Sequence, residues 1–235
     1  PWHIWMVSSK GGGKAKRLTK GSWSLQTDQG SMSRLAWTKD GKSIVFQQFH
    51  DVWEGNVYIS VVAKVDTAGG KVNRIIADAG SGDPAFSPVG NQMAFMRARK
   101  GDLNNGQAVY VKDGEKITDI TAALARNINT YRWLPDGKLL LSGYKGTRSV
   151  FWMLSLDGKM QQLNWADVNP LRGISVAKDG TIAFTASTSM LPQELYVYKT
   201  GMKAPRQLTH FNAFADKLDL GKSVAVNWKL GRYHE

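Results

Sequence analysis

Trp133-Leu134-Pro135-Asp136-Gly137 carries the pattern that decides the fold. Proline presets the first corner of a tight turn, aspartate bonds back to its own backbone, and glycine takes a positive φ without steric cost. Such a pentapeptide closes a β-hairpin. The pattern returns as Trp37-Thr38-Lys39-Asp40-Gly41, Phe86-Ser87-Pro88-Val89-Gly90 and Val176-Ala177-Lys178-Asp179-Gly180, so that its lead residues stand 49, 47 and 43 positions apart. Short apolar strands follow the turns, such as Ser43-Ile44-Val45-Phe46 and Thr181-Ile182-Ala183-Phe184, of the kind buried on both faces.

Five more hairpins alternate with these four. Their first strands share an apolar-aromatic-apolar core: Ile4-Trp5-Met6, Val57-Tyr58-Ile59, Val109-Tyr110-Val111, Phe151-Trp152-Met153 and Leu195-Tyr196-Val197. A glycine turn follows each core, at Gly11-Gly12-Gly13, Gly69-Gly70, Asp113-Gly114, Asp157-Gly158 and Thr200-Gly201, and then a second short strand. Joining one inner hairpin to the next outer hairpin makes a four-stranded unit, and a repeat of ~45 residues is the period of a β-propeller blade. The expected fold class is therefore all-β, a β-propeller of four-stranded antiparallel blades. A β-sandwich is the structural alternative, but it has no reason to restore the same turn at that period. No helical periodicity and no β-α-β order point to a Rossmann-like or barrel enzyme.

The expected blades cover residues 33–77, 83–121, 129–165 and 172–210, with residues 1–20 forming the outer hairpin of a partial blade and 211–235 an exit segment. Ser223-Val224-Ala225-Val226-Asn227-Trp228 reads as one more strand. It could pair with the N-terminal hairpin and close a five-bladed ring, or the chain could be an arc of a seven- or eight-bladed propeller. The arc is preferred, because a closing blade wants a second inner strand that residues 229–235 scarcely provide. The chain opens on Pro1-Trp2-His3, without an initiator Met or the plan of a signal peptide, and reads as a processed or excised piece.

Composition narrows the function classes. With 42% hydrophobic and 21% charged residues in 235, the chain has enough apolar content for a core, and its apolar runs fall far short of the ~20 residues that cross a bilayer, so no membrane partner is expected. A formal charge of +12 invites a nucleic-acid reading, but the densest clusters, Lys14-Lys16-Arg17-Lys20 and Arg97-Arg99-Lys100, are short, and specific nucleic-acid binding is not expected. The absence of cysteine excludes disulfides and thiolate chemistry, and does not decide between cytoplasm and periplasm.

Catalytic motifs fail on inspection, so no catalytic residue, metal or cofactor is expected. A nucleophile elbow needs G-x-S-x-G, and the nearest fragments, Gly173-Ile174-Ser175-Val176-Ala177 and Gly221-Lys222-Ser223-Val224-Ala225, end in alanine. Gly41-Lys42-Ser43 has the end of a phosphate loop without its first glycine, where Ala36 stands. His3, His50, His210 and His234 show no metal-ligand spacing, and the aspartates Asp40, Asp136 and Asp179 belong to turns.

One loop exceeds what a blade needs. Phe49-His50-Asp51-Val52-Trp53-Glu54-Gly55 gathers an imidazole, two carboxylates and two aromatics between strands, and Arg97-Ala98-Arg99-Lys100 takes the corresponding place in the next blade. Loops on a rigid rim often present binding groups, so His50, Asp51, Trp53, Glu54, Arg97 and Arg99 are the candidate substrate-binding residues. A packed flap over the blade edge, with solvated arginines, is the bland reading of the same residues.

The glycine pair and Leu-Thr between Gly12 and Thr19, with the turn at 133–137, resemble the TolB-like propeller repeat. The last blade and its exit, Leu191-Pro192-Gln193-Glu194-Leu195-Tyr196-Val197, Pro205-Arg206-Gln207-Leu208-Thr209-His210-Phe211-Asn212 and Trp228, are similar to the end of the propeller in prolyl-oligopeptidase-family serine peptidases, in the acylaminoacyl-peptidase and dipeptidyl-peptidase branch. The loop His50-Asp51-x-x-Trp53-Glu54-Gly55 is similar to an aromatic, acidic loop of that branch. The resemblance covers nearly the whole chain through degenerate motifs, and Val89-Gly90-Asn91 and Ala177-Lys178-Asp179 depart from it. It implies an α/β-hydrolase domain as partner, starting shortly after Trp228 and carrying the whole catalytic triad, with short peptides as substrates that the propeller gates and helps to hold.

Overall fold

The computed structural model describes residues 1–221, 224, 226, 228–231, 233 and 234. Much of the strand expected over 223–228, and Lys222-Ser223, lie outside the described residues. The chain divides into two compact units, Pro1–Ile128 and Asn129–Glu235.

The first unit opens with a hairpin of β1 (Trp5–Met6) and β2 (Lys16–Arg17). Two four-stranded antiparallel meanders follow. One runs through β3 (Leu35–Trp37), β4 (Ser43–Gln48), β5 (Val61–Asp66) and β6 (Asn73–Ile76); the next through β7 (Gly82–Phe86), β8 (Met93–Ala98), β9 (Gln107–Asp113) and β10 (Lys116–Asp119). Strand alternation shows how these sheets stack. Ile44 and Phe46 of β4, with Ala63 and Val65 of β5, pack on one face against Ile4 and Leu18 of the hairpin. Val45 and Val62 point the other way, onto Met93, Phe95, Ala108 and Tyr110 of the second meander. A middle sheet buried on both faces explains why β4 reads as a continuous apolar run, and successive layers in chain order are not a two-layer sandwich.

In the second unit β11 (Ile128–Trp133), β12 (Leu139–Lys145), β13 (Arg148–Leu154) and β14 (Met160–Leu163) form one meander; β15 (Asn169–Val176), β16 (Ile182–Ser187), β17 (Glu194–Tyr198) and β18 (Arg206–Gln207) form another. Their shared core is aromatic: Trp165 stacks on Phe184 at 5.1 Å, Phe151 meets both edge-on, and Tyr198 tilts against Trp165 at 4.9 Å. A short hairpin of β19 (Lys229–Leu230) and β20 (Tyr233–His234) follows.

The inner turns close as their residues dictate. Gly41, Gly137 and Gly180 have φ of +66°, +82° and +82°. Asp40, Asp136 and Asp179 each accept the backbone N–H two residues on, at 3.0, 3.1 and 3.0 Å. The turn at 86–90 differs: Gly90 is not in the positive-φ region, and with no aspartate present the Ser87 hydroxyl accepts from Val89 and Gly90 N–H instead. A second departure is at Val57-Tyr58-Ile59, read above as strand. These residues belong to a 3-10 helix, Glu54–Ile59, and the third strand of the blade is Val61–Asp66. The apolar triplet imitates a strand core, but Asp51 draws in the Trp53 N–H and the Asn56 amide, winding the chain so that extension begins only after Ser60.

Candidate functional site

The β4–β5 connection, residues 49–60, is held from outside by the segment 24–33. Phe49 exchanges both backbone bonds with Ser24, at 3.2 and 3.0 Å. Glu54 accepts from the Ser31 hydroxyl at 2.6 Å and from Thr27, while its own N–H donates to Asp28 at 2.7 Å. The Ser31 bond first, with that from Thr27, holds the Glu54 carboxyl below its ordinary value. Asp51 accepts from the Trp53 N–H at 2.9 Å and from Asn56 at 2.8 Å, and the first of these bonds is the main reason its carboxyl is also lowered. Both carboxylates therefore stay charged, Asp51 bonding within its own loop and Glu54 tying that loop to the segment 24–33. His50 and Trp53 point outward, with Trp53 62% exposed, and Tyr58 on the short helix is 47% exposed.

Arg97 and Arg99 are staples of the neighbouring sheet. Arg97 pairs with Asp78 at 2.6 Å and lies 4.5 Å over the Tyr110 ring, leaving its buried Nε without a hydrogen-bond partner. Arg99 pairs with Asp119 at 2.9 Å and donates to the Arg126 carbonyl at 3.1 Å. Their bonds do not run to the 49–55 loop. Of the six candidates, His50 and Trp53 are thus presented to solvent, Asp51 and Glu54 shape the loop that presents them, and the two arginines brace the next blade.

Beside this loop lies a hollow of about 220 Å³, lined by Gln47, Tyr58, Asp83, Met96, Leu103 and Gln107 among others. Two glycines make it possible: a Cβ at Gly82 would meet the Gln47 amide at 2.3 Å, and one at Gly80 the Tyr58 carbonyl at 3.0 Å. Asp83 has φ of +52° at a bulge in β7 and pairs with Arg34 at 3.1 Å. A left-handed aspartate directly before proline is a strained arrangement that its surroundings must hold. Sequence reading missed this hollow. Its one local signal, Ser81-Gly82-Asp83-Pro84, looks like an ordinary turn until the bulge is seen.

Among the described residues no group of three histidine, aspartate or glutamate side chains could hold a metal ion. No described helix is long and apolar enough to cross a membrane.

No family model matches the sequence, and no curated protein matches it either. Solved structures do. Acylaminoacyl peptidase of Pyrococcus horikoshii superposes with a TM-score of 0.67 at 17% identity, over 87% of this chain and 31% of that one. TolB of Acinetobacter baumannii gives 0.63 at 19%, over 88% and 48%. The β-propeller domain of the Trilobed protease of Pyrococcus furiosus gives 0.58 at 16%, over 77% and 52%. The chain spans about a third of the peptidase and about half of TolB. Four antiparallel meanders of this kind, with these structural neighbours, make the fold that of a partial β-propeller, the fold shared by TolB and the propeller domains of prolyl-oligopeptidase-family peptidases.

Proposed function

We propose that the chain is the non-catalytic propeller part of a serine peptidase of the prolyl-oligopeptidase family, gating and helping to hold short peptides. The observation that carries this reading is the 49–60 loop, whose carboxylates wind it and tie it to the segment 24–33 so that His50, Trp53 and Tyr58 stand out from a rigid blade end beside a small hollow. Aromatic faces and an imidazole suit the backbone and side chains of an unfolded peptide, and a loop preformed by its own hydrogen bonds loses little freedom on binding. Asp51 and Glu54 act as positioning residues, and Arg97 and Arg99 keep the neighbouring wall in place. Exclusion is the proposed mechanism: folded proteins cannot pass a blade-lined opening, flexible peptides can, and an α/β-hydrolase domain supplies nucleophile and oxyanion hole.

The test is turnover of an aminoacyl p-nitroanilide by the purified 235-residue chain. None is expected. Hydrolysis that a serine-directed reagent abolishes contradicts the proposal.

The TolB likeness, at nearly the same TM-score, favours a second reading, a propeller that recruits proteins through its rim. The coding sequence downstream discriminates: the peptidase reading requires a G-x-S-x-G strand-turn-helix within about 150 residues, and the TolB reading does not.

A further inference from the structure

In the second unit the turns β11–β12, β13–β14 and β15–β16 border a groove of about 490 Å³. Its floor is apolar, made by Leu134, Pro135, Met153 and Met160, and lysines stand around it. Lys138, Lys159 and Lys199 each pair with a turn aspartate, at 2.7, 2.9 and 2.9 Å, with side chains 47%, 87% and 52% exposed. Those aspartates divide their oxygens between the lysine and the turn. Asp136, Asp157 and Asp179 each accept a backbone N–H of their own turn. Lys178 is exposed and makes no ion pair with any described residue. Exposed pairs of this kind are weak and exchange partners readily. Three ammonium groups, Lys138, Lys159 and Lys178, thus line an apolar floor together with the Asp136 and Asp179 carboxylates, and Lys178 alone among the three lysines has no ion-pair partner among the described residues.

We propose that this groove docks an extended acidic segment of a partner protein, an apolar side chain resting on Met153 and Met160 and flanking carboxylates meeting Lys159 and Lys178. Methionine is adaptable and polarisable, which suits a floor that accepts an apolar anchor without a single rigid shape. The lysine rim gives such a segment its direction and its encounter rate, reinforced by the formal charge of +12 on the chain. Peptidase gating is not a premise of this docking, since none of these residues belongs to the 49–60 loop.

The probe is a fluorescein-labelled Asp-Glu-Leu-Leu-Glu-Asp peptide, followed by anisotropy against the whole chain and against the double variant Lys159→Glu, Lys178→Glu. Both positions are exposed, and an unchanged melting midpoint certifies the variant's fold. Binding by the chain is expected, with a loss of about ten-fold or more in the variant and of several-fold when the two leucines are replaced by serines. Equal binding by the variant overturns the proposal. So does equal competition by an oligothymidylate of the same charge, which would make the groove a general anion surface, or self-association of the chain that the variant abolishes, which would make the occupant a second copy.

Discussion

Glu194 is the only charged side chain that is fully buried among the described residues. Burial alone would raise its carboxyl, but bonds from the Thr209 hydroxyl, the Asn212 N–H at 2.7 Å and the Asn212 amide at 3.0 Å outweigh it and hold the group below its ordinary value. A carboxylate lowered on folding stabilises the native state above its unfolded value, and that contribution disappears as pH falls through the lower folded value. Glu194→Gln is therefore expected to flatten the fall in melting midpoint below about pH 4.5, while lowering the midpoint itself near neutrality. Calorimetry from pH 3 to 7 reads both effects, and parallel curves for the two proteins would contradict them. Asp179 shows the same physics at the surface. Lys199 and the Thr181 N–H and hydroxyl pull it down to about 2. Its NMR titration is expected to move up toward the ordinary carboxylate range in Lys199→Ala.

At the scale of elements, turns and cores fail differently. Gly180 has φ of +82° and open space where a Cβ would go, so Gly180→Ala costs conformation alone, ~1–2 kcal/mol. Gly90 lacks that backbone, so its alanine variant escapes this penalty, and a Cβ there meets the amide end of the half-buried Gln92 side chain, which must swing aside. Urea denaturation compares the two. Phe184, wholly buried between Phe151, Trp165 and Tyr196, is a core position, and Phe184→Ala is expected to cost ~3–5 kcal/mol by the same measurement. What the sequence revealed follows this division. The Asp-Gly turns were legible because their chemistry is local, complete within five residues. Val57-Tyr58-Ile59 was misread as strand because its conformation is set by Asp51, outside the triplet. The hollow at Gly82 and Asp83 was invisible because it needs Gln47, thirty-five positions away in the preceding blade.

For the whole molecule, repetition made the propeller fold readable, since one turn restored four times leaves few architectures. The candidate site was half legible. Residue types marked the 49–55 loop, but which of its side chains face outward depends on Thr27, Ser31 and Asp28, in a segment with no motif of its own. The charge of +12 is expected to produce only weak duplex DNA binding, vanishing by about 200 mM salt in a filter or anisotropy assay. The central claim is that these blades hold a short peptide and do not break it. A single NMR titration of the 15N-labelled chain with an uncharged, end-blocked tetrapeptide tests both halves. Amide shifts confined to residues 47–60, 80–83 and 96–107, with peptide resonances unchanged over days, are the expected result. Appearance of cleaved peptide, or saturating shifts that leave those segments untouched, would contradict it.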